Sequence, residues 1–533
     1  MPIFRVFHRG CPPRLWCDHG WRPYRPRPEL CTTLRRPPAR GGRPGVRRSA
    51  RDLIELVVDR GKWVSWDETV ADPAPLDADY AAALAAARRT TGVDEAVITG
   101  AGRLGGRRVA VIAGEFAFLG GSIGVAAAER LTRAVERATA ERIPLLAAPA
   151  SGGTRMQEGS IAFLQMVKIS QAITAHKVAG LPYLVYLRHP TTGGVYASWG
   201  SLGHLTVAEP GALIGFLGPK VHEALTGSPF PAGVQVAENL HAHGLIDAVL
   251  APEQVAPLAE RALATLQAPR RLPRPPVPME DPPGEPTAWD AVRRSRRADR
   301  PGIRRLLRHA GRDVVPLHGT RSGETGAGVI VALARFGEAP AVVVGHDRRD
   351  SPPDPAGLRA VRRGFTLAAE LGLPVVTVVD TPGAALSPEA EEGGLAGEIA
   401  HCLADLLTLP VPTLCVLLGQ GSGGAALALL PADRVIAAAH GWLSPLPPEG
   451  ASAILHRTVE RASEVAAAQG IRAQDLRARG IVDRIVAERP DAADEPAAFL
   501  DRLGAVLAYE LATLLDVDPA DRLQTRRVRY RQL

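Results

Sequence analysis

The chain has 533 residues, 46% hydrophobic and 22% charged, a length that requires more than one domain and a balance usual for globular proteins. Its net charge of +7 is concentrated at one end: residues 1–48 hold twelve Arg against Asp18 and Glu29 and the remainder is net negative, so nucleic-acid binding is not expected. The most apolar stretch, 409–430, is interrupted by Pro412, Gln420 and several glycines, so no membrane span is expected.

Residues 1–48 are rich in Pro, Arg and Gly without apolar periodicity, which predicts a disordered basic tail, and no apolar run follows to make a secretory signal. Cys11, Cys17 and Cys31 lie in it near His8 and His19, with neither a CxxC nor a fourth Cys, so no metal site, zinc included, is expected there. Five cysteines in this length make no disulfide framework, which points to a reducing, cytoplasmic setting.

A first α/β domain is expected over 49–268. Gly100-Ala-Gly-Arg-Leu-Gly105 matches a dinucleotide-binding pattern, but a strand follows at 108–113 where that motif needs a helix, so it reads as a hairpin turn. Gly120-Gly-Ser122-Ile-Gly124 matches a hydrolase elbow with Ser122 as nucleophile; that reading would leave the repeat described below without a role. Helices are predicted at 126–141 and 161–179. A Pro-rich linker is expected over 269–301, containing Pro273-Arg-Pro-Pro-Val-Pro278. The second domain, 302–533, has predicted helices at 355–371 and 393–407, and its Cys402 and Cys415 read as core residues.

The two domains repeat one another. Ile143-Pro144-Leu-Leu, Leu181-Pro182-Tyr-Leu and Gly193-Gly194 recur 230 positions later as Leu373-Pro374-Val-Val, Val411-Pro412-Thr-Leu and Gly423-Gly424. Each Pro-led run is short and strand-like and follows a helical pattern, which implies parallel βαβ units covered on both faces. In each copy a strand, 183–187 or 413–418, runs into Gly-Gly at a helix start. Glycines let a ligand approach the backbone, and the first helical N–H groups have no acceptor in their own helix, so Gly193, Gly194, Gly423 and Gly424 predict two oxyanion cradles. The alternative for either turn alone is tight packing without a ligand.

A second pair of loops, Ala150-Ser-Gly-Gly-Thr-Arg155 and Asp380-Thr-Pro-Gly-Ala384, is also offset by 230 and follows the preceding strand of each copy. The carboxyl ends of parallel strands are where ligands bind, so Ser151, Gly152, Gly153, Thr381 and Gly383 are candidate binding residues. Arg155 is placed either to hold a phosphate or carboxylate or to make a structural ion pair. No GxxxxGK loop, no Met-Lys dipeptide and no metal-spaced His/Asp/Glu cluster occurs.

These motifs resemble a known family. Gly114-Glu-Phe-Ala-Phe-Leu-Gly-Gly-Ser122, Ser151-Gly-Gly-Thr-Arg-Met-Gln-Glu158, Pro190-Thr-Thr-Gly-Gly194 and Ala208-Glu-Pro-Gly-Ala-Leu-Ile-Gly-Phe-Leu-Gly-Pro219 resemble the β subunit of bacterial acetyl-CoA carboxylase carboxyltransferase. Asp380-Thr-Pro-Gly-Ala384, Gly421-Ser-Gly-Gly-Ala425 and the stretch from Ser444 to Leu455 resemble its α subunit. The resemblance implies two tandem crotonase (ClpP-like) modules. It also implies transfer of a carboxyl group from carboxybiotin, on a separate biotin carboxyl carrier protein charged by biotin carboxylase, to acetyl-CoA, giving malonyl-CoA for fatty-acid or polyketide synthesis. On it, the N–H groups of Gly193 and Gly194 hold the thioester enolate, those of Gly423 and Gly424 hold the ureido oxygen of biotin, and the biotin nitrogen takes the substrate proton. A homo-oligomer with active sites between modules of two protomers is implied as well.

The chain departs from the family at three places. A four-cysteine ribbon is missing; Gly345-His-Asp-Arg-Arg-Asp350 replaces the usual Gly-His-Gln-Lys-Gly-Arg; and Ala385-Leu-Ser-Pro388 is unusual. Three rival expectations remain: carboxylation of propionyl-CoA or a longer acyl-CoA, biotin-independent decarboxylase or hydratase chemistry on an acyl thioester, and a binding role in which the basic tail contacts RNA or an acidic partner.

Overall fold

Strand pairing repeats as the sequence does. In the first half β1 (Val64–Ser65), β2 (Val97–Leu104), β3 (Arg107–Gly114), β4 (Leu145–Ala148), β5 (Tyr183–Leu187), β6 (Thr191–Thr192), β7 (Leu205–Ala208), β8 (Ile214–Gly215) and β9 (Ala248–Val249) follow in order. The second half has β10 (Gly311–Leu317), β11 (Val329–Phe336), β12 (Ala339–His346), β13 (Val375–Thr381), β14 (Thr413–Ser422), β15 (Arg434–Ala438), β16 (Trp442–Ser444) and β17 (Arg484–Val486). One sheet runs β1-β2-β3-β4-β5-β7-β9 and the other β10-β11-β12-β13-β14-β15-β17, with β16 on β14 and β6 paired to β8. Each opens with antiparallel strands and continues parallel, and the register repeats: Leu145 pairs Tyr183 as Val375 pairs Thr413. This computed structural model describes residues 48–69, 77–279 and 284–532. Of the tail expected over 1–48, residues 1–47, with the three cysteines, lie outside the described residues.

The fold is the expected one, two α/β modules of crotonase type, with parallel strands buried on both faces as continuous apolar runs. Helices Val125–Ala140, Gly159–Val178, Pro355–Leu371 and Leu395–Thr408 lie within two residues of their predicted bounds. The hairpin is placed differently. Its turn is Gly105-Gly106, both with positive φ as a two-residue hairpin needs, whereas Gly100 and Gly102 lie inside β2. A Cβ on Gly100 would meet the Val64 carbonyl at 2.4 Å, and one on Gly102 would meet Val58 Cγ1 at 2.4 Å, so these glycines admit a close neighbour, not a bend.

The expected linker also carries structure. Thr287 caps a helix, Ala288–Ser295, that buries Ala288, Ala291, Val292 and Ser295. The modules share a core as well. One hydrophobic cluster joins Leu146, Leu184 and Tyr186 of the first sheet to Val331, Val342 and Val375 of the second, and the helix Val255–Leu266 contributes Leu258, Ala262 and Leu263 between them. The other faces have their own clusters, the second under the helix Pro496–Leu515. Asp247 of the first module is fully desolvated yet keeps its pKa below the usual carboxylate range, because Arg363 and Arg321 of the second bond it, Arg363 at 2.7 Å.

Candidate active site

The loops after β4 and β5 meet, and in the second module the end of β13 pairs with the end of β14, Thr381 with Gly421. In the first module Ser151 N–H donates to the Pro190 carbonyl at 2.7 Å, and Thr192 N–H returns a bond to the Ser151 carbonyl at 3.0 Å. Ser151 Oγ accepts from Gly153 N–H at 3.0 Å; at the equivalent place Thr381 Oγ1 accepts from Gly383 N–H at 3.2 Å. Both glycines have conformations closed to other residues, φ 115° at Gly153 and 146° at Gly383. The repeat thus extends to individual hydrogen bonds.

The glycine turns match in the same way. Gly193 and Gly423 have φ of 62° and 68°, so each swings the chain from strand into helix. Gly194 and Gly424 then occupy the first turn of the helices Gly193–Tyr196 and Gly423–Leu429 and are partly exposed. A Cβ on Gly153 would lie 3.9 Å from Gly194 N, so the two loops of the first module converge on that amide. The second turn opens on a cavity of about 580 Å³ lined by Gly423, Gly424, Leu427, Leu443, Pro445 and Ile471. A larger cavity of about 930 Å³, lined by Arg51, Asp59, Trp63 and Asp94 among others, holds none of the predicted site residues.

Three expectations change. Gly193 N–H donates to the Phe216 carbonyl at 3.0 Å, so it is committed to the protein. Ser151 and Gly152 turn their N–H groups to the Pro190 and Gly120 carbonyls, so those two amides brace the loop. Arg155 is the structural ion pair of its two readings: fully buried, it pairs Glu95 through both terminal nitrogens and donates to the Ser122 carbonyl at 2.7 Å, leaving no arm for a substrate. Ser122 Oγ donates to the Leu119 carbonyl at 2.8 Å, a turn contact.

Glu95, Tyr80 and Glu158 complete that buried cluster; Tyr80 bonds Glu158, which caps the helix at Val125 N–H. No spacing in the sequence links residues so far apart. In the second module Asp380 is buried, and desolvation pushes its carboxyl above the ordinary value against the pull of Arg348 and Arg300. Among the described residues no group of His, Cys, Asp or Glu is placed to hold a metal ion, and no helix is long and apolar enough to cross a membrane.

A family profile described as the carboxyl transferase domain matches residues 43–521. The chain belongs to that family. Among curated relatives of this carboxyltransferase, a probable biotin-dependent acyl-coenzyme A carboxylase beta3 subunit of Mycobacterium tuberculosis is 62% identical over 489 residues, covering 90% of this chain and 97% of the relative. The acetyl-coenzyme A carboxylase carboxyl transferase subunits beta/alpha of Salinispora arenicola are 39% identical, covering 91% and 90%. The same fold occurs in the crystal structure of transcarboxylase 12S, with a TM-score of 0.66 at 20% identity over 85% of this chain and 89% of that one. A single-chain, multi-domain long-chain acyl-CoA carboxylase superposes equally well over 86% of this carboxyltransferase and 45% of its own length.

Proposed function

We propose that this enzyme transfers a carboxyl group from carboxybiotin, presented by a separate biotin carboxyl carrier protein that a biotin carboxylase charges, to the α-carbon of an acyl-CoA in the cytoplasm. The observation that carries the reading is the duplicated glycine turn, with its left-handed first glycine and braced neighbouring loop in both modules. Carboxybiotin supplies an activated carboxyl group and, as that group leaves, a ureido nitrogen that takes the substrate proton. The chain's part is to hold charge: Gly194 N–H faces the thioester oxygen as it becomes an enolate, and such a donor is worth roughly 3 kcal/mol. Gly423 and Gly424 N–H take the ureido oxygen, and the apolar cavity beside them suits a compact, mostly hydrocarbon ring system.

The acyl group is the open part. Acetyl-CoA, giving malonyl-CoA for fatty-acid or polyketide synthesis, agrees with the relatives at 39% identity, while the relative at 62% is named for acyl-CoA in general, so propionyl-CoA and longer thioesters fit at least as well. Purified protein given a soluble biotin derivative should decarboxylate malonyl-CoA, methylmalonyl-CoA or ethylmalonyl-CoA, and comparing the three identifies the substrate. Absence of turnover with all three sinks the proposal, and turnover that ignores biotin replaces it with a simple decarboxylase.

Two exposed apolar faces favour a homo-oligomer. Met156, Phe216 and Leu225 are exposed in the first module, and Leu386, Leu446 and Leu455, each 230 positions on, are exposed in the second. Two copies related by a two-fold axis would cover the first face of one with the second face of the other, twice. Light scattering should give a dimer or a multiple of one, and a monomer at micromolar concentration would exclude this pairing.

A further inference from the structure

Gly345-His-Asp-Arg-Arg-Asp350, one of the three stretches that depart from the resemblance, starts in the last two residues of β12, and its Arg348 reaches the second glycine turn through one buried carboxylate. Between Val379–Leu417 and Thr381–Gly421 the β13–β14 ladder slips: β13 advances two residues while β14 advances four. The extra residues form a bulge directly before Gly421-Ser422-Gly423-Gly424. Asp380 fills the gap. Its Oδ1 accepts from Gln420 N–H at 3.1 Å and comes so close to Gly419 that a Cβ there would lie 2.4 Å away. Its Oδ2 accepts from Arg348 Nη1 at 3.0 Å.

Arg348 is a two-armed brace. Nη2 donates to the carbonyls of Ser295 at 3.0 Å and Arg297 at 2.8 Å. Ser295 Oγ accepts from Trp442 Nε1 at 2.8 Å, and β16, which begins at Trp442, pairs with Gln420 to Ser422 from the side away from Asp380. One guanidinium therefore ties down both flanks of the segment that delivers Gly423 and Gly424. The first module is braced differently: Ala150 and Phe118 stand 230 positions before Asp380 and Arg348, and before its turn Glu209 Oε2 accepts from His189 N–H at 3.0 Å while Leu213 N–H donates to His189 Nδ1 at 3.0 Å.

We infer that Arg348 and Asp380 are positioning residues for the second cradle: they fix the bulge in β14 so that the Gly423 and Gly424 amides point at one place, without touching substrate themselves. The inference rests on the proposed biotin side of the reaction. An oxyanion donor displaced by a fraction of an ångström loses most of its value, so the effect should be kinetic and one-sided. Arg348→Met and Asp380→Asn should lower kcat for biotin-dependent malonyl-CoA decarboxylation by about tenfold to a hundredfold and raise KM for the biotin derivative, with KM for the CoA substrate within twofold of wild type. Arg348→Lys keeps the charge but loses the fork, and should fall between wild type and Arg348→Met.

Hydrogen exchange provides a readout that needs no turnover. The amides of 419–425 should exchange faster in Asp380→Asn, while those of 189–195 should not change. If wild-type protein is inert with every acyl-CoA, the proposed reaction fails and exchange alone decides the positioning role. Wild-type kinetics in both variants, or faster exchange spread evenly over the chain, would overturn that role.

Discussion

Gly194 and Gly424 lack the positive φ of the glycines before them, so what bars a side chain there is space. A Cβ would meet Met166 Cγ at 3.1 Å and Thr154 Oγ1 at 3.2 Å in the first turn and Ile399 Cδ1 at 2.8 Å in the second, all side-chain atoms and none of the backbone. Gly194→Val and Gly424→Val should therefore fold, with melting temperatures a few degrees from wild type, and lose at least about a hundredfold in biotin-dependent turnover. Near-normal rates would remove the turns from the chemistry. Two buried histidines contribute to the loss of stability in acid. Burial lowers the pKa of His176 from 6.5 to about 4 and that of His346 from 6.5 to about 3. Below pH 6.5 the unfolded chain gains protons that the native state refuses, so stability is full above that value and falls as pH drops towards 4 and then 3. Urea titrations should show this loss, and His176→Gln should flatten it by up to roughly 3 kcal/mol between pH 6.5 and 4.

Elements with local punctuation were the readable ones. The helix Pro355–Leu371 was legible to the residue because Asp354 caps it, Pro355 opens it and Gly372 closes it in a left-handed conformation. Asp354 Oδ1 accepts from both Gly357 N–H at 2.6 Å and Ala327 N–H at 3.0 Å, so Asp354→Ala should cost about 1–2 kcal/mol in urea unfolding. An unchanged midpoint would mean that the tertiary packing of Leu358 and Val361 holds the first turn alone. The Gly-Gly turns were legible too, since a duplicated pattern carries more information than one copy. What escaped depended on distance. Nothing near Gly100 announces that Val64 presses on it, nothing near Arg155 announces Glu95, and the Phe216 carbonyl that takes Gly193 N–H lies on another loop. Arg348 was visible only as a departure from pattern, without its purpose.

At the scale of the molecule, the two halves of the sequence are not two independent bodies. Residues 48–533 form a single compact unit, and Gly244 and Gly319 of opposite halves approach so closely that a Cβ on Gly319 would lie 2.2 Å from Gly244 Cα. The helix Val255–Leu266 belongs to the first half by sequence but also packs on β10, β11 and β12 of the second. A polypeptide severed between positions 279 and 284 would leave each fragment with an oily wall facing water. Made separately, the fragments should aggregate; made in the same cell, they should co-purify as a complementing pair with activity restored. Two fragments that each stay soluble and monomeric alone would show that this helix is not the keystone of the joint.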